Sequence, residues 1–128
     1  MKLLPLNGLR ILIVEDDYYL ATDAKMSIED AGGKVVGPFA TVEEARAALD
    51  VDGADLAILD INLGSGPAFD LARHLKKVKL PFLFATGYDE AVVPDDLKMV
   101  VRLEKPFHSA ALISAAACLY GATTLSGG

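Results

Sequence analysis

The sequence predicts an α/β three-layer sandwich built on a five-stranded parallel sheet. Three observations predict it. The runs Ile11-Leu12-Ile13-Val14, Leu56-Ala57-Ile58-Leu59 and Phe82-Leu83-Phe84-Ala85 are continuously apolar, as strands covered on both faces are. Between them lie stretches with apolar residues three and four apart, the period of an amphipathic helix. Finally, 52% of the 128 residues are hydrophobic, a fraction that a sheet buried on both sides absorbs.

Each element follows in turn. A first strand spans about 9–14. A helix over about 18–31 carries Leu20, Ala24, Ile28 and Ala31 on one face, and Gly32-Gly33 stops it. A short second strand lies near 34–37. Thr41, with Glu44 three residues on, forms a capping box for a helix over 42–50 that buries Val42, Ala45, Ala48 and Leu49. Asp52-Gly53 turns the chain into a third strand over 55–60, followed by a loop from Ile61 to Gly66. A third helix spans about 67–78, with Ala68, Leu71, Ala72 and Leu75 inward. The fourth strand spans 80–85 and the fifth about 100–103; between them Pro94 breaks or kinks any helix over 88–99. The last helix begins near Ser109 and fades at Tyr120-Gly121. The expectation is a single domain, 1–128, with a core of about 9–120 and a frayed tail at 121–128.

Right-handed crossovers give a strand order of 2-1-3-4-5. The direction of winding reverses between strands one and three, and ligands bind outside the carboxyl ends of strands at such a point. Glu15 and Asp16 follow strand one, Asp60 ends strand three, Thr86 follows strand four and Lys105 follows strand five. One rim is therefore expected to gather carboxylates, a hydroxyl and an ammonium.

Composition excludes several classes. Twelve basic against 18 acidic residues give a net charge of −6, with no basic stripe interleaved with aromatics, which argues against nucleic acid. No apolar run approaches the ~20 residues of a membrane span. Asn7, Gly8 and Arg10 interrupt the apolar start, which argues against export. The single Cys118 has no internal partner and suits a reducing, cytoplasmic setting; its apolar neighbours predict a core or groove thiol. His74 and His108 read as surface or capping residues, and Lys76-Lys77-Lys79 as a solvated helix end.

Glu15, Asp16 and Asp60 side by side repel and raise one another's pKa, a cost that a divalent cation relieves. An oxygen-only donor set with no His/Cys cluster favours Mg²⁺. Asp60 is then a nucleophile able to form an acyl phosphate. Lys105 and the Thr86 hydroxyl neutralise and bond the transferring oxygens. Lys105-Pro106 further suggests a cis peptide.

The motifs Ile-Leu-Ile-Val-Glu15-Asp16-Asp17, Leu-Asp60-Ile-Asn62-Leu, Ala-Thr86-Gly87 and Lys105-Pro106-Phe107 resemble, over about 9–120, the receiver domain of bacterial two-component response regulators. The resemblance implies the flavodoxin-like receiver fold and a phosphoacceptor at Asp60. It implies Mg²⁺ held by Glu15, Asp16, Asp60 and the backbone carbonyl of Asn62. It makes Thr86 the switch hydroxyl and Lys105 the phosphate-binding lysine. The segment Pro81-Phe82-Leu83-Phe84-Ala85-Thr86-Gly87-Tyr88 resembles the signature of the FAT GUY subgroup, often stand-alone and paired with sensor kinases of the HWE and HisKA2 types.

Two departures stand out. Arg102 occupies the place of the usual rotating aromatic, which leaves Tyr88 as the switch candidate. Leu63-Gly64-Ser65-Gly66-Pro67 replaces the usual Met-Pro and suggests a looser loop. The expected function is a single-domain response regulator that takes a phosphoryl group from a sensor histidine kinase and switches a partner-binding surface or drains kinase phosphate. Its downstream protein is unknown, and it is expected as a monomer or weak dimer. It would be no enzyme beyond its own phosphoryl transfer and loss. The alternatives are a phosphorylation-independent binding module and a small Mg²⁺-dependent phosphohydrolase; the latter would want an aspartate where Asn62 stands.

Overall fold

The computed structural model describes residues 4–63, 66–87 and 93–126. The first strand, β1 (Arg10–Val14), leads into α1 (Tyr18–Asp30), β2 (Lys34–Phe39), α2 (Val42–Asp52) and β3 (Leu56–Asp60). A two-residue antiparallel ladder, β4 (Asn62–Leu63) with β5 (Gly66–Pro67), precedes α3 (Phe69–Lys77). The chain continues through β6 (Phe82–Thr86), a 3₁₀ turn (Asp95–Leu97), β7 (Arg102–Glu104) and α4 (Ser109–Ser126). The main sheet is parallel with order β2-β1-β3-β6-β7, the predicted order once the small ladder is set aside.

Alternation along the buried strands sends successive side chains to opposite layers. Leu12, Val14, Ala57, Leu59, Phe82 and Phe84 face Ala45 of α2 and Leu71, Ala72 and Leu75 of α3. Ile11, Ile13, Leu56, Ile58, Leu83 and Ala85 face Ala24 and Ile28 of α1 and Leu112 and Ala116 of α4. Each fully buried Leu, Ile or Phe contributes about 1.5–3 kcal/mol, so these two layers fix the sheet that positions the rim.

The predicted starts and stops rest on specific bonds. Thr41 caps α2, its Oγ1 accepting from the Glu44 N–H at 3.2 Å. The Glu44 carboxylate accepts from the Thr41 hydroxyl at 3.0 Å, a variant of the capping box. Gly33 lies against Ile28, where an added Cβ would come within 2.7 Å of Ile28 Cγ2, so only glycine fits behind α1.

Several expectations are corrected. The last helix does not fade at Tyr120-Gly121 but runs to Ser126. One interior glycine costs about 1 kcal/mol relative to alanine, and no proline follows to stop the helix. Cys118 is exposed rather than in a core or groove. The buried pair Leu112 and Ala116 sets the inner face of α4, and Cys118 lies about 200° around from Ala116. The predicted Ile61–Gly66 loop carries the β4–β5 ladder, and Pro67 belongs to it rather than to α3. In 88–99 the described residues hold only the 3₁₀ turn, begun directly after Pro94. Among the described residues, no helix is long and apolar enough to cross a membrane.

Candidate functional site

Strand register alone brings the site together. Val14 pairs with Leu59, so Glu15 and Asp60 leave adjacent strands side by side. Asp60 pairs with Ala85, and Thr86 with Glu104, which puts Thr86 and Lys105 one step further along the same rim. The Lys105 N–H donates to the Thr86 carbonyl at 2.6 Å, which ties these two positions directly.

The β1–β2 edge sets Glu15. The register between these strands slips between Leu12 and Val14, at Gly37. Gly37 has φ +104, and an added Cβ would lie 2.8 Å from Phe39 N and 3.1 Å from Ile13 O. Such a bulge needs glycine. It allows the Glu15 N–H to donate to the Phe39 carbonyl at 2.9 Å. Asp17, which sequence reasoning passed over, orients the same carboxylate. Its N–H donates to Glu15 Oε2 at 3.1 Å, while its own Oδ1 caps α1 by accepting from the Leu20 N–H at 3.0 Å. The signal was available, because an acid immediately before a helix start is a preferred N-cap.

Glu15, Asp60 and Thr86 are buried, at 8%, 5% and 3% exposure, whereas Asp16 is exposed and opens the site to solvent. One carboxylate oxygen each from Glu15, Asp16 and Asp60 can be chosen so that all lie within 4.8 Å of one another. Lys105 Nζ sits between the two buried acids, 2.6 Å from Glu15 Oε1 and 3.2 Å from Asp60 Oδ1. The Asn62 N–H donates to Asp60 Oδ1 at 3.1 Å. The Lys105–Pro106 bond is cis, as the dipeptide suggested. Thus Glu15, Asp16, Asp60, Asn62, Thr86 and Lys105 all lie on this rim. Tyr88 lies outside the described residues.

The electrostatics follow from this crowding. Burial pushes the Asp60 carboxyl up to about 7, with Glu15 adding to the rise and Lys105 opposing it. Repulsion was the anticipated cause, yet desolvation is the larger one. Burial pulls the Lys105 ammonium down, but its bonds to Glu15 and then its attraction to Asp60 leave it raised and charged. The donor chemistry fits a hard divalent cation: the three converging side chains offer carboxylate oxygens only, and one of them faces solvent.

Known proteins share this plan. The response regulator receiver domain family matches residues 11–117. The sensory transduction protein LytT of Bacillus anthracis is 31% identical over 103 residues, covering 77% of this chain and 42% of its own length. The phyllosphere-induced regulator PhyR of Methylorubrum extorquens is 30% identical over 113 residues, covering 83% of this chain and 42% of its own. The chain therefore spans about two fifths of the length of these relatives. A CheY-like receiver domain protein from Methanospirillum hungatei superposes with a TM-score of 0.76 at 20% identity, covering 90% of this chain and 96% of its own. With a family match over residues 11–117 and the fold in common, this chain belongs to the response regulator receiver domain family.

Proposed function

We propose that this receiver is a phosphorylation-controlled switch in which Asp60 accepts a phosphoryl group from the phosphohistidine of a sensor kinase. The observation that carries this reading is the buried Asp60 carboxylate beside Glu15, both paired with Lys105, with Asp16 opening the site to solvent. In the transfer, an Asp60 carboxylate oxygen bonds to phosphorus as the P–N bond to the donor imidazole breaks. The imidazole leaves with that electron pair and is neutral because its other nitrogen carries a proton.

Glu15, Asp16, Asp60 and the Asn62 carbonyl would hold Mg²⁺, which supplies the positive charge that keeps the acids ionised and offsets charge on the transferring oxygens. Lys105, freed from part of its bond to Glu15, pairs with a phosphoryl oxygen. The buried Thr86 hydroxyl donates to another, and this inward pull biases the β6 end and the segment after it. The Asn62 N–H stays on the Asp60 carboxyl and fixes its rotation. In this reading the chain catalyses only its own phosphoryl gain and loss. The Pro81–Tyr88 motif supports a FAT GUY-type receiver served by an HWE or HisKA2 kinase in the cytoplasm, with Tyr88 as switch candidate and output through a protein partner.

The test is intact mass after incubation with a small acyl-phosphate donor, with and without Mg²⁺. One added phosphoryl group on wild type with Mg²⁺, and none on Asp60→Asn, is expected. Equal labelling of both proteins refutes the assignment.

A further inference from the structure

The end of the sheet away from Asp60 carries a second feature, a groove of about 310 Å³ lined by Lys76, Lys79, Leu80, Pro81, Phe82 and Leu119. Phe82 opens β6 and Thr86 closes it, so one strand length, about 13 Å, separates the groove from the rim. Three observations point to a ligand there. First, charge is concentrated: Arg73, Lys76, Lys77 and Lys79 are four of the chain's 12 basic residues, within seven positions, on a chain of net charge −6. Arg73 is engaged by Asp96 at 2.9 Å, and Lys76 Nζ donates to the Asp96 carbonyl at 2.7 Å. Among the described residues, Lys77 and Lys79 have no ion pair.

Second, Lys79 adopts φ +61, the left-handed region, at the end of α3. The Leu80 N–H reaches the Leu75 carbonyl at 2.9 Å and the Lys79 N–H the Lys76 carbonyl at 3.2 Å. This is the Schellman ending, whose left-handed position is normally glycine because a Cβ there costs about 1 kcal/mol. The chain carries a lysine where the backbone favours glycine, and that lysine lines the groove. Third, the floor is apolar, and Val78 beside it is 53% exposed.

We propose that this groove docks an acidic peptide segment of a partner protein, which inserts one aliphatic or aromatic side chain between Lys76 and Lys79. Charge complementarity selects the flanking carboxylates, and the apolar floor selects the anchor. The groove is shallow and has room for one side chain, and a net charge of −6 sets an extended anionic lipid surface against the chain as a whole, which a short peptide at this basic patch avoids. A net charge of −6 disfavours a long polyanion such as nucleic acid.

The test is two-dimensional NMR of the ¹⁵N-labelled chain titrated with the peptide Glu-Asp-Phe-Glu-Asp. Saturable shifts at Leu80, Phe82 and Leu119 at millimolar peptide or below are expected. Alanine in place of the peptide phenylalanine should abolish them. Lys79→Gly, which relieves the backbone and keeps the fold, should weaken binding about fivefold. Absence of shifts at millimolar peptide, shifts confined to other surfaces, or equal binding by Lys79→Gly overturns the proposal. Binding to anionic vesicles or oligothymidylate as tight as to the peptide overturns it also.

Discussion

Asp60→Asn should make the metal-free protein more stable, and only above acid pH. The Asp60 carboxyl is raised from 3.8 to about 7 by burial and by Glu15. At about 1.36 kcal/mol per pH unit, ionising it in the folded state costs on the order of 4 kcal/mol. The sign follows from linkage. Below pH ~3.8 both folded and unfolded chains hold the proton, and Asp60 contributes its full stability. Between pH ~3.8 and ~7 the unfolded chain releases the proton while the native one retains it, so stability falls as pH rises. Above pH ~7 the loss is complete. Asparagine never ionises and leaves the Lys105–Glu15 pair in place. Paired urea denaturations with chelator should therefore show the variant gaining on wild type by about 3 kcal/mol between pH ~5 and ~8. Saturating Mg²⁺ should close that gap by stabilising wild type alone. A difference that ignores pH, or a variant less stable at pH ~8, would refute the reasoning.

Other perturbations give independent checks. Asp16→Asn removes the solvent-facing carboxylate; calorimetric titration should show Mg²⁺ affinity reduced about tenfold, with the denaturation midpoint of the metal-free protein nearly unchanged. Gly37→Ala forces a Cβ against Phe39 N and Ile13 O at a positive φ, and should cost about 3 kcal/mol in chemical denaturation. Lys79→Gly relieves a left-handed lysine and should raise Tm by about 4 °C in a thermal melt.

How much of this was legible beforehand depended on which physical signal carried each feature. The strand order and the rim were readable because buried parallel strands announce themselves as unbroken apolar runs, and residues just past them must share one edge. Glu15, Asp16, Asp60, Thr86 and Lys105 fell into place on that logic. The bulge at Gly37 was not readable, because a slip in register depends on two strands and not on one sequence window. The exposure of Cys118 was misjudged for a related reason. Its apolar neighbours sit on every side of α4, so local composition carries no direction, and only the packing of Leu112 and Ala116 supplies one. The extension of α4 to Ser126 shows a weak local penalty at Gly121 overruled by its helical surroundings. Within the site, the surprise was the closeness of Lys105 to Glu15. An ammonium expected to wait for phosphate is already held by a buried carboxylate, so under the proposed function phosphorylation would exchange its partners rather than fill an open site.

The central claim is that the Asp60 carboxylate itself becomes the phosphoryl carrier. Borohydride trapping followed by peptide mapping tests it most directly, since reduction of an aspartyl phosphate leaves homoserine at the labelled position. After Mg²⁺ and a small acyl-phosphate donor, the account predicts homoserine at position 60 and at no other aspartate. Homoserine at Asp16 or elsewhere, or a phosphorylated protein that yields none, would contradict it.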